Sequence, residues 1–176
     1  VEMFFKAQRT VFDDAKKRLA SILKERDYFA ADADTLNVIS TMSTILAMPK
    51  PYSRIGELPE LVQKVKTAYD SLLDMKREEV AENIRQCMQD VHQLASEARD
   101  AGALLRQADD HFANKREAAK TATSLTELDA MITQLLNYKD TICRRMEVMT
   151  ASRQQEAQKP TPAATAKPGT PAPKPP

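Results

Sequence analysis

Residues 48–65, MPKPYSRIGELPELVQKV, interrupt a chain whose pattern is otherwise steadily helical. The stretch holds three of the chain's ten prolines and one of its three glycines. Because a residue before proline avoids the α conformation, a helix should end at Pro49, and Pro51 should prevent it from resuming. Pro59 is tolerated in the first turn of a new helix, where its missing N–H would have had no partner. The stretch therefore predicts a rigid corner between two helices, with Tyr52 and Ile55 fixing it against a core.

Composition on both sides of the corner predicts an all-α fold. Charged residues make up 29% of the chain, aromatic residues only 5%, and good helix formers dominate. The formal net charge of +1 gives no overall attraction to nucleic acid or to an anionic membrane. No apolar run approaches the 18 residues that a membrane span needs. Because Val1 is not an initiator methionine, we expect the chain to be a piece of a longer protein.

Apolar spacing places a helix before the corner and a long one after it. Phe5, Phe12 and Leu19 recur every seven residues on one stripe. A shorter helix, with Asp32 or Asp34 as its N-cap, should lead to the corner. The long helix should run from Pro59 to about residue 98, roughly 60 Å at 1.5 Å per residue. Its predicted stripe is Leu61, Val65, Ala68, Leu72 and Met75, then Ile84, Cys87, Val91 and Leu94, with a slip of one residue at KREEVAE.

The last third of the folded region predicts two more helices. Gly102 is expected to close the long helix as a C′ residue. A less regular helix should follow over residues 103–120. Ser124 and Glu127 then form a capping box before a heptad stripe that is interrupted only at Lys139 and fades near Gln154. We expect the two longest helices to pair as an antiparallel coiled-coil hairpin, with residues 102–124 as the turn region.

Domain boundaries follow from these elements. We predict an elongated helical bundle with an N-terminal helical pair over residues 1–56 and a long-helix hairpin over 57–154, forming one continuous domain over 1–154. Residues 155–176 hold seven prolines and no Leu, Ile, Val, Phe or Tyr. Such a segment cannot bury a core, so we expect a disordered, proline-rich tail.

Residues with catalytic chemistry are few. Three isolated glycines cannot build a phosphate-binding loop, and neither His92 nor His111 has partners at metal-ligand spacing. Cys87 and Cys143 should be reduced, half-buried thiols. Glu25, Arg144 and Arg145 are expected to be surface charges. The sequence therefore predicts no catalytic, cofactor-binding or metal-binding residues in this chain.

Two small basic clusters leave nucleic-acid binding open. Lys16, Lys17 and Arg18 lie on the first helix, and Lys64 and Lys66 lie on the long one. Acidic residues are interleaved with them, and no aromatic stacking platform accompanies them.

The corner and the helix after it also resemble a known family. The segment ILAMPKPYSRIGELPELVQKVKTAYDSLL resembles a helical region near the C-terminus of the large P-loop ATPase of BREX bacteriophage-exclusion systems, the BrxC/PglY family. FANKREAAKTATSLTELDAMITQLLNYKDTI resembles the closing helical hairpin of that family. The matching corner positions, together with Pro49, form the predicted structural connection: Pro49, Pro51, Tyr52, Ile55, Leu58, Pro59 and Leu61.

The resemblance implies a non-catalytic role for this chain. It would be a C-terminal scaffolding or interaction module of a cytoplasmic antiphage-defence ATPase that works with a site-specific DNA methyltransferase. ATP and Mg²⁺ would bind elsewhere in the parent protein, because no Walker motif lies in this sequence. Protein partners or self-association are expected, and DNA contact is possible through the parent complex. The alternatives are an independent coiled-coil adaptor or tether, and a helical nucleic-acid-binding module.

Overall fold

A computed structural model describes residues 2–158, except for the side chains of Tyr52 and Arg153. Five α-helices follow one another: α1 Glu2–Leu23, α2 Ala33–Ala47, α3 Leu58–Glu97, α4 Gly102–Thr121 and α5 Leu125–Gln158. No strand occurs in this part of the chain. The predicted all-α fold is confirmed. Helix α5 continues four residues into the predicted tail, and the rest of that tail, 159–176, lies outside the described residues.

Local signals fix the start of α2. The Asp32 carboxylate accepts a hydrogen bond from the Thr35 N–H at 3.1 Å, so Asp32 and not Asp34 is the N-cap. The side-chain hydroxyl of Thr35 donates to the same carboxylate. These hydrogen bonds, that of the hydroxyl first, hold the pKa of Asp32 below its ordinary value.

The corner between α2 and α3 is built from two short 3-10 turns. Helix α2 ends at Ala47, and Met48 is extended with ψ of 136°. The turns span Pro51–Ser53 and Ile55–Glu57, and α3 starts directly after them. Proline geometry thus stops one helix and admits the next, as the sequence predicts.

Helix α3 is continuous through KREEVAE. Its buried stripe differs from the predicted one, because Leu73 is buried whereas Met75 is 64% exposed. Val80 is fully buried at the position where the predicted pattern slips. The apolar spacing therefore passes from Leu73 through Val80 to Ile84 without a break in the helix.

The turn after α3 corrects the role expected of Gly102. Gly102 is the first residue of α4, and it does not have a positive φ. Asp100 instead takes the left-handed conformation, with φ of 62°. Aspartate tolerates this region better than most residues with a side chain, so it can close the turn that glycine was expected to close.

The junction between α4 and α5 keeps part of the predicted cap. The hydroxyl of Ser124 accepts a hydrogen bond from the Glu127 N–H at 3.3 Å, which satisfies a donor in the first turn of α5. The helix expected over residues 103–120 is confirmed as α4, a regular helix of 20 residues that fills most of the expected turn region, residues 102–124.

The chain divides into two compact units, and the division falls within α3 at residue 82. The first unit comprises residues 2–82 and 117–132. Its core packs side chains of α1, α2 and the corner against the start of α3. The buried members are Ala15, Leu19, Ile22, Phe29, Ile39, Met42, Ile45, Ile55, Leu58 and Val65.

The second unit comprises residues 83–116 and the described residues after 132. Its helix directions follow from side-chain pairs: His92 meets Asp109 across α3 and α4, and Lys115 meets Gln134 across α4 and α5. The antiparallel neighbour of α3 in this unit is therefore α4. Helix α5 is antiparallel to α4 and therefore runs in the same direction as α3. The Lys139 ammonium nitrogen of α5 lies 3.6 Å from a carboxylate oxygen of Asp90 on α3. The two longest helices, α3 and α5, therefore do not run antiparallel here as expected, because the predicted helix over residues 103–120 forms α4 and lies between them in the chain.

Within residues 2–158, none of the helices combines the length and the apolar composition that crossing a membrane requires.

Candidate interaction surfaces

The predicted connection residues lie at the corner of the first unit. Ile55 and Leu58 are buried, whereas Leu61 and Pro51 are half-buried. Pro49 and Pro59 are exposed. The side chain of Tyr52 lies outside the described part of the chain. Ile55 and Leu58 belong to the core of the first unit, whereas the side chains of the two exposed prolines lie outside it.

A polar junction that the sequence did not reveal joins the end of α1 to the start of α5. The carboxylate of Glu25 accepts hydrogen bonds from the Tyr69 hydroxyl at 2.9 Å and from the Thr126 N–H at 3.0 Å. The Tyr69 oxygen in turn accepts a hydrogen bond from the Leu125 N–H at 3.1 Å. A carboxylate at a helix N-terminus is stabilised by the free N–H groups and by the helix dipole. Glu25 is therefore a structural anchor and not the solvated surface charge that we expected.

Two neighbouring basic residues of α3 complete this junction. Arg77 donates to the carbonyl oxygens of Ala122 at 2.7 Å and Ala119 at 3.3 Å, which satisfies acceptors at the C-terminal end of α4. Lys76 pairs with Asp129 at 3.1 Å, and the Tyr28 hydroxyl also donates to Asp129. The hydrogen bond from Lys76, foremost, holds the pKa of Asp129 below its ordinary value. The junction thus satisfies carbonyl groups at the C-terminal end of α4 and N–H groups at the N-terminal end of α5.

The structure brings part of the two basic clusters together. Lys17 and Arg18 of α1 and Lys66 of α3 line one polar groove in the first unit. Lys16 does not line it, and Lys64 pairs with Glu60 at 3.4 Å along its own helix. Sequence spacing identified the clusters, but only the packing of α1 on α3 shows which members share a face.

An apolar groove in the second unit is a candidate protein-binding surface. It lies between the start of α4 and the second half of α5, with a volume of about 520 Å³. Val148 is 65% exposed there, an unusual position for a large aliphatic side chain in a helix stripe. The lining residues are Leu104, Thr141, Arg144, Arg145, Val148 and Met149.

A second apolar surface lies at the start of α1. Met3, Phe4 and Phe5 are 87%, 63% and 55% exposed. Phe5 therefore leaves the stripe that was predicted to join it to Leu19, which is buried. Phe5 and Phe12 line a smaller groove of about 300 Å³ together with residues of the corner.

Groups able to do chemistry are not gathered into a site in the described part of the chain. His92 Nε2 lies 2.7 Å from an Asp109 oxygen at the surface. Burial raises the pKa of the Cys87 and Cys143 thiols, which disfavours the nucleophilic thiolate. No group of three His, Cys, Asp or Glu side chains among residues 2–158 has a geometry that could hold a metal ion.

One pair of half-buried rings in the second unit, His111 and Tyr138, has buried polar atoms without a hydrogen-bond partner among the described residues. The rings of His111 and Tyr138 are stacked with centroids 3.6 Å apart. Neither His111 Nε2 nor the Tyr138 hydroxyl has a hydrogen-bond partner among the described residues. Burial, together with the charge of Lys115, lowers the pKa of His111.

Comparison with known proteins does not assign the chain to a family: no model of a protein family matches its sequence, and no solved structure significantly matches its fold.

Proposed function

We propose that this chain is a non-catalytic helical module that binds a protein partner through the apolar groove of its second unit. The observation that carries the proposal is the exposed apolar floor of this groove beside Arg144 and Arg145, which form no ion pair within residues 2–158. The occupant is an amphipathic helix of the partner with apolar anchors on one face and acidic residues flanking them.

Charge complementarity selects this occupant. Arg144 and Arg145 form no ion pair with a carboxylate of the described residues, and both are exposed. Apolar side chains would fill the groove at Val148 and Met149, while acidic side chains would reach the arginines at its edge. Such edge charges favour the correct partner and increase the association rate more than they increase affinity.

A designed peptide tests the groove directly. The probe is a fluorescent amphipathic helix with leucines on one face and glutamates on the other, compared with the same helix carrying lysines. We expect the acidic peptide to bind, and we expect Val148→Asp to weaken its binding at least tenfold, measured by fluorescence anisotropy. The matched control is Met75→Asp, because Met75 is 64% exposed but lies in the other unit. Equal binding of both peptides, or equal loss in both variants, would rule out the groove.

The proposed parent is the BREX-type ATPase, on the strength of the corner sequence. In that setting the module would be cytoplasmic, and ATP and Mg²⁺ would act in another part of the parent. The gene sequence upstream of this chain tests the assignment. A parent without a P-loop module, or without a neighbouring methyltransferase gene, would leave an independent adaptor as the better interpretation.

A further inference from the structure

The polar groove between α1 and α3 has the features of an anion-binding surface. Its volume is about 540 Å³, and its wall on α1 comprises Asp14, Lys17, Arg18 and Ser21. Its wall on α3 comprises Val62, Gln63 and Lys66. Every lining residue lies in the first unit. Amide, hydroxyl and cationic groups thus face one concave surface, and Val62 is its only aliphatic member.

The cationic side chains of the groove take no part in the ion pairs found among the described residues. Lys17, Arg18 and Lys66 form no ion pair with any carboxylate of the described residues. Asp14 is the only acidic side chain in the lining, which leaves an excess of two positive charges. By contrast, Lys76 and Lys139, which also face neighbouring helices, each pair with an aspartate.

A second, smaller groove extends the first along α1. It has a volume of about 230 Å³ and shares Arg18 and Ser21 with its neighbour. The α1 residues that line the two grooves run from Asp14 to Ile22. This segment is roughly 12 Å long at a rise of 1.5 Å per residue. The far end is closed by Glu25 and Tyr69, which hydrogen-bond to each other and to the first N–H groups of α5. The Glu25 carboxylate lowers the positive excess over both grooves from two to one.

Length and composition together select the ligand. The wall is long enough for its three cations to face neighbouring phosphates of one nucleic-acid strand, with one cation to each phosphate. The lining offers no aromatic face on which a base could stack, apart from Tyr69 at the closed end. Contacts in this groove would therefore recognise phosphates and not base identity.

We infer that the α1–α3 groove binds the phosphate backbone of single-stranded nucleic acid without base specificity, with Lys17, Arg18 and Lys66 as its cationic contacts. This site lies in a different unit from the proposed protein-binding groove, and the two are independent. Failure of the peptide experiment would leave the nucleic-acid site standing, and the converse also holds.

Salt dependence and a matched pair of variants test the site. The probe is a fluorescein-labelled 20-nucleotide oligo-dT, titrated with the whole chain at 50 and 200 mM NaCl. Three phosphate contacts on a single strand give a slope of about −2 in log affinity against log salt, which corresponds to roughly 20-fold weaker binding at the higher salt concentration. In Lys17→Ala/Lys66→Ala the slope should fall to about −0.7, because one contact remains.

The control variant is Lys16→Ala/Lys64→Ala. It changes the same residue type on the same two helices and removes the same charge, but neither lysine lines the groove. Its binding and salt slope should match those of the unmodified chain. Equal weakening in both variants, or no binding of oligo-dT at 50 mM NaCl, would overturn the proposal. Binding of inorganic tripolyphosphate to the groove without binding of oligo-dT would also overturn it.

Discussion

At the scale of single residues, hydrogen bonding of the hydroxyl group separates two kinds of tyrosine. Tyr69 donates to Glu25 and accepts from the N–H of Leu125, so its hydroxyl links two segments far apart in sequence. The hydroxyl of Tyr138 is buried without a hydrogen-bond partner among the described residues. Burial raises the pKa of both phenols, so both are un-ionised at neutral pH.

This contrast gives a paired prediction. Tyr69→Phe should lower the free energy of unfolding by about 1–3 kcal/mol, because it removes the hydrogen bonds of the half-buried Glu25 carboxylate and of the Leu125 N–H to this hydroxyl. Tyr138→Phe should change it little or increase it, because the lost hydroxyl has no bond to give up. Urea denaturation at pH 7.5 measures both. A larger loss in Tyr138→Phe than in Tyr69→Phe would contradict our account of the junction.

The residue scale also shows what the sequence can and cannot predict. Asp32, Ser124 and Pro49 act within a few residues of themselves, so their roles follow from local pattern. Glu25 meets Thr126 across 101 residues, and the side chain of Arg77 meets Ala122 across 45. Only tertiary packing decides such pairs. The same limit applies to the grooves, whose walls come from different helices.

At the scale of the element, the position of the corner between α2 and α3 depends on the packing of a few apolar side chains. Ile55 is 8% exposed and belongs to the core of the first unit. It lies on a short 3-10 turn, which has little hydrogen bonding of its own to hold it. The position of this turn therefore depends on apolar contact between Ile55 and the helices around it.

Truncation of this side chain should loosen the corner. We expect Ile55→Ala to lower the free energy of unfolding by about 2–4 kcal/mol, the usual cost of an aliphatic cavity in a core. Met75→Ala is the matched comparison, because Met75 is 64% exposed and should cost less than about 0.5 kcal/mol. Chemical denaturation of both variants decides the point. An Ile55→Ala variant as stable as Met75→Ala would show that the corner is not anchored by this residue.

At the scale of the whole molecule, basic and acidic residues nearly balance, 26 against 25. Binding to nucleic acid therefore cannot rest on net charge and needs local concentration of cations, as in the α1–α3 groove. The same balance means that the pH dependence of stability should reflect particular groups. Asp32, Glu57 and Asp129 have pKa values below ordinary values of 3.8 to 4.5, so they contribute to pH dependence only in strongly acidic solution.

Above the strongly acidic range, the titration of His111 should dominate the pH dependence of the free energy of unfolding. Its pKa is lowered from an ordinary 6.5 by burial and by the charge of Lys115, so the unfolded chain binds a proton more readily than the folded chain. The stability linked to this group is complete above about pH 6.5 and is lost as the pH falls below that value. The free energy of unfolding should therefore be lower at pH 5.5 than at pH 7.5. In His111→Phe, which keeps an aromatic ring against Tyr138 but cannot be protonated, the difference between the two pH values should shrink. An NMR titration of the His111 ring supplies the independent check: a midpoint at or above 6.5 would contradict the assignment, even if the unfolding data agreed with it.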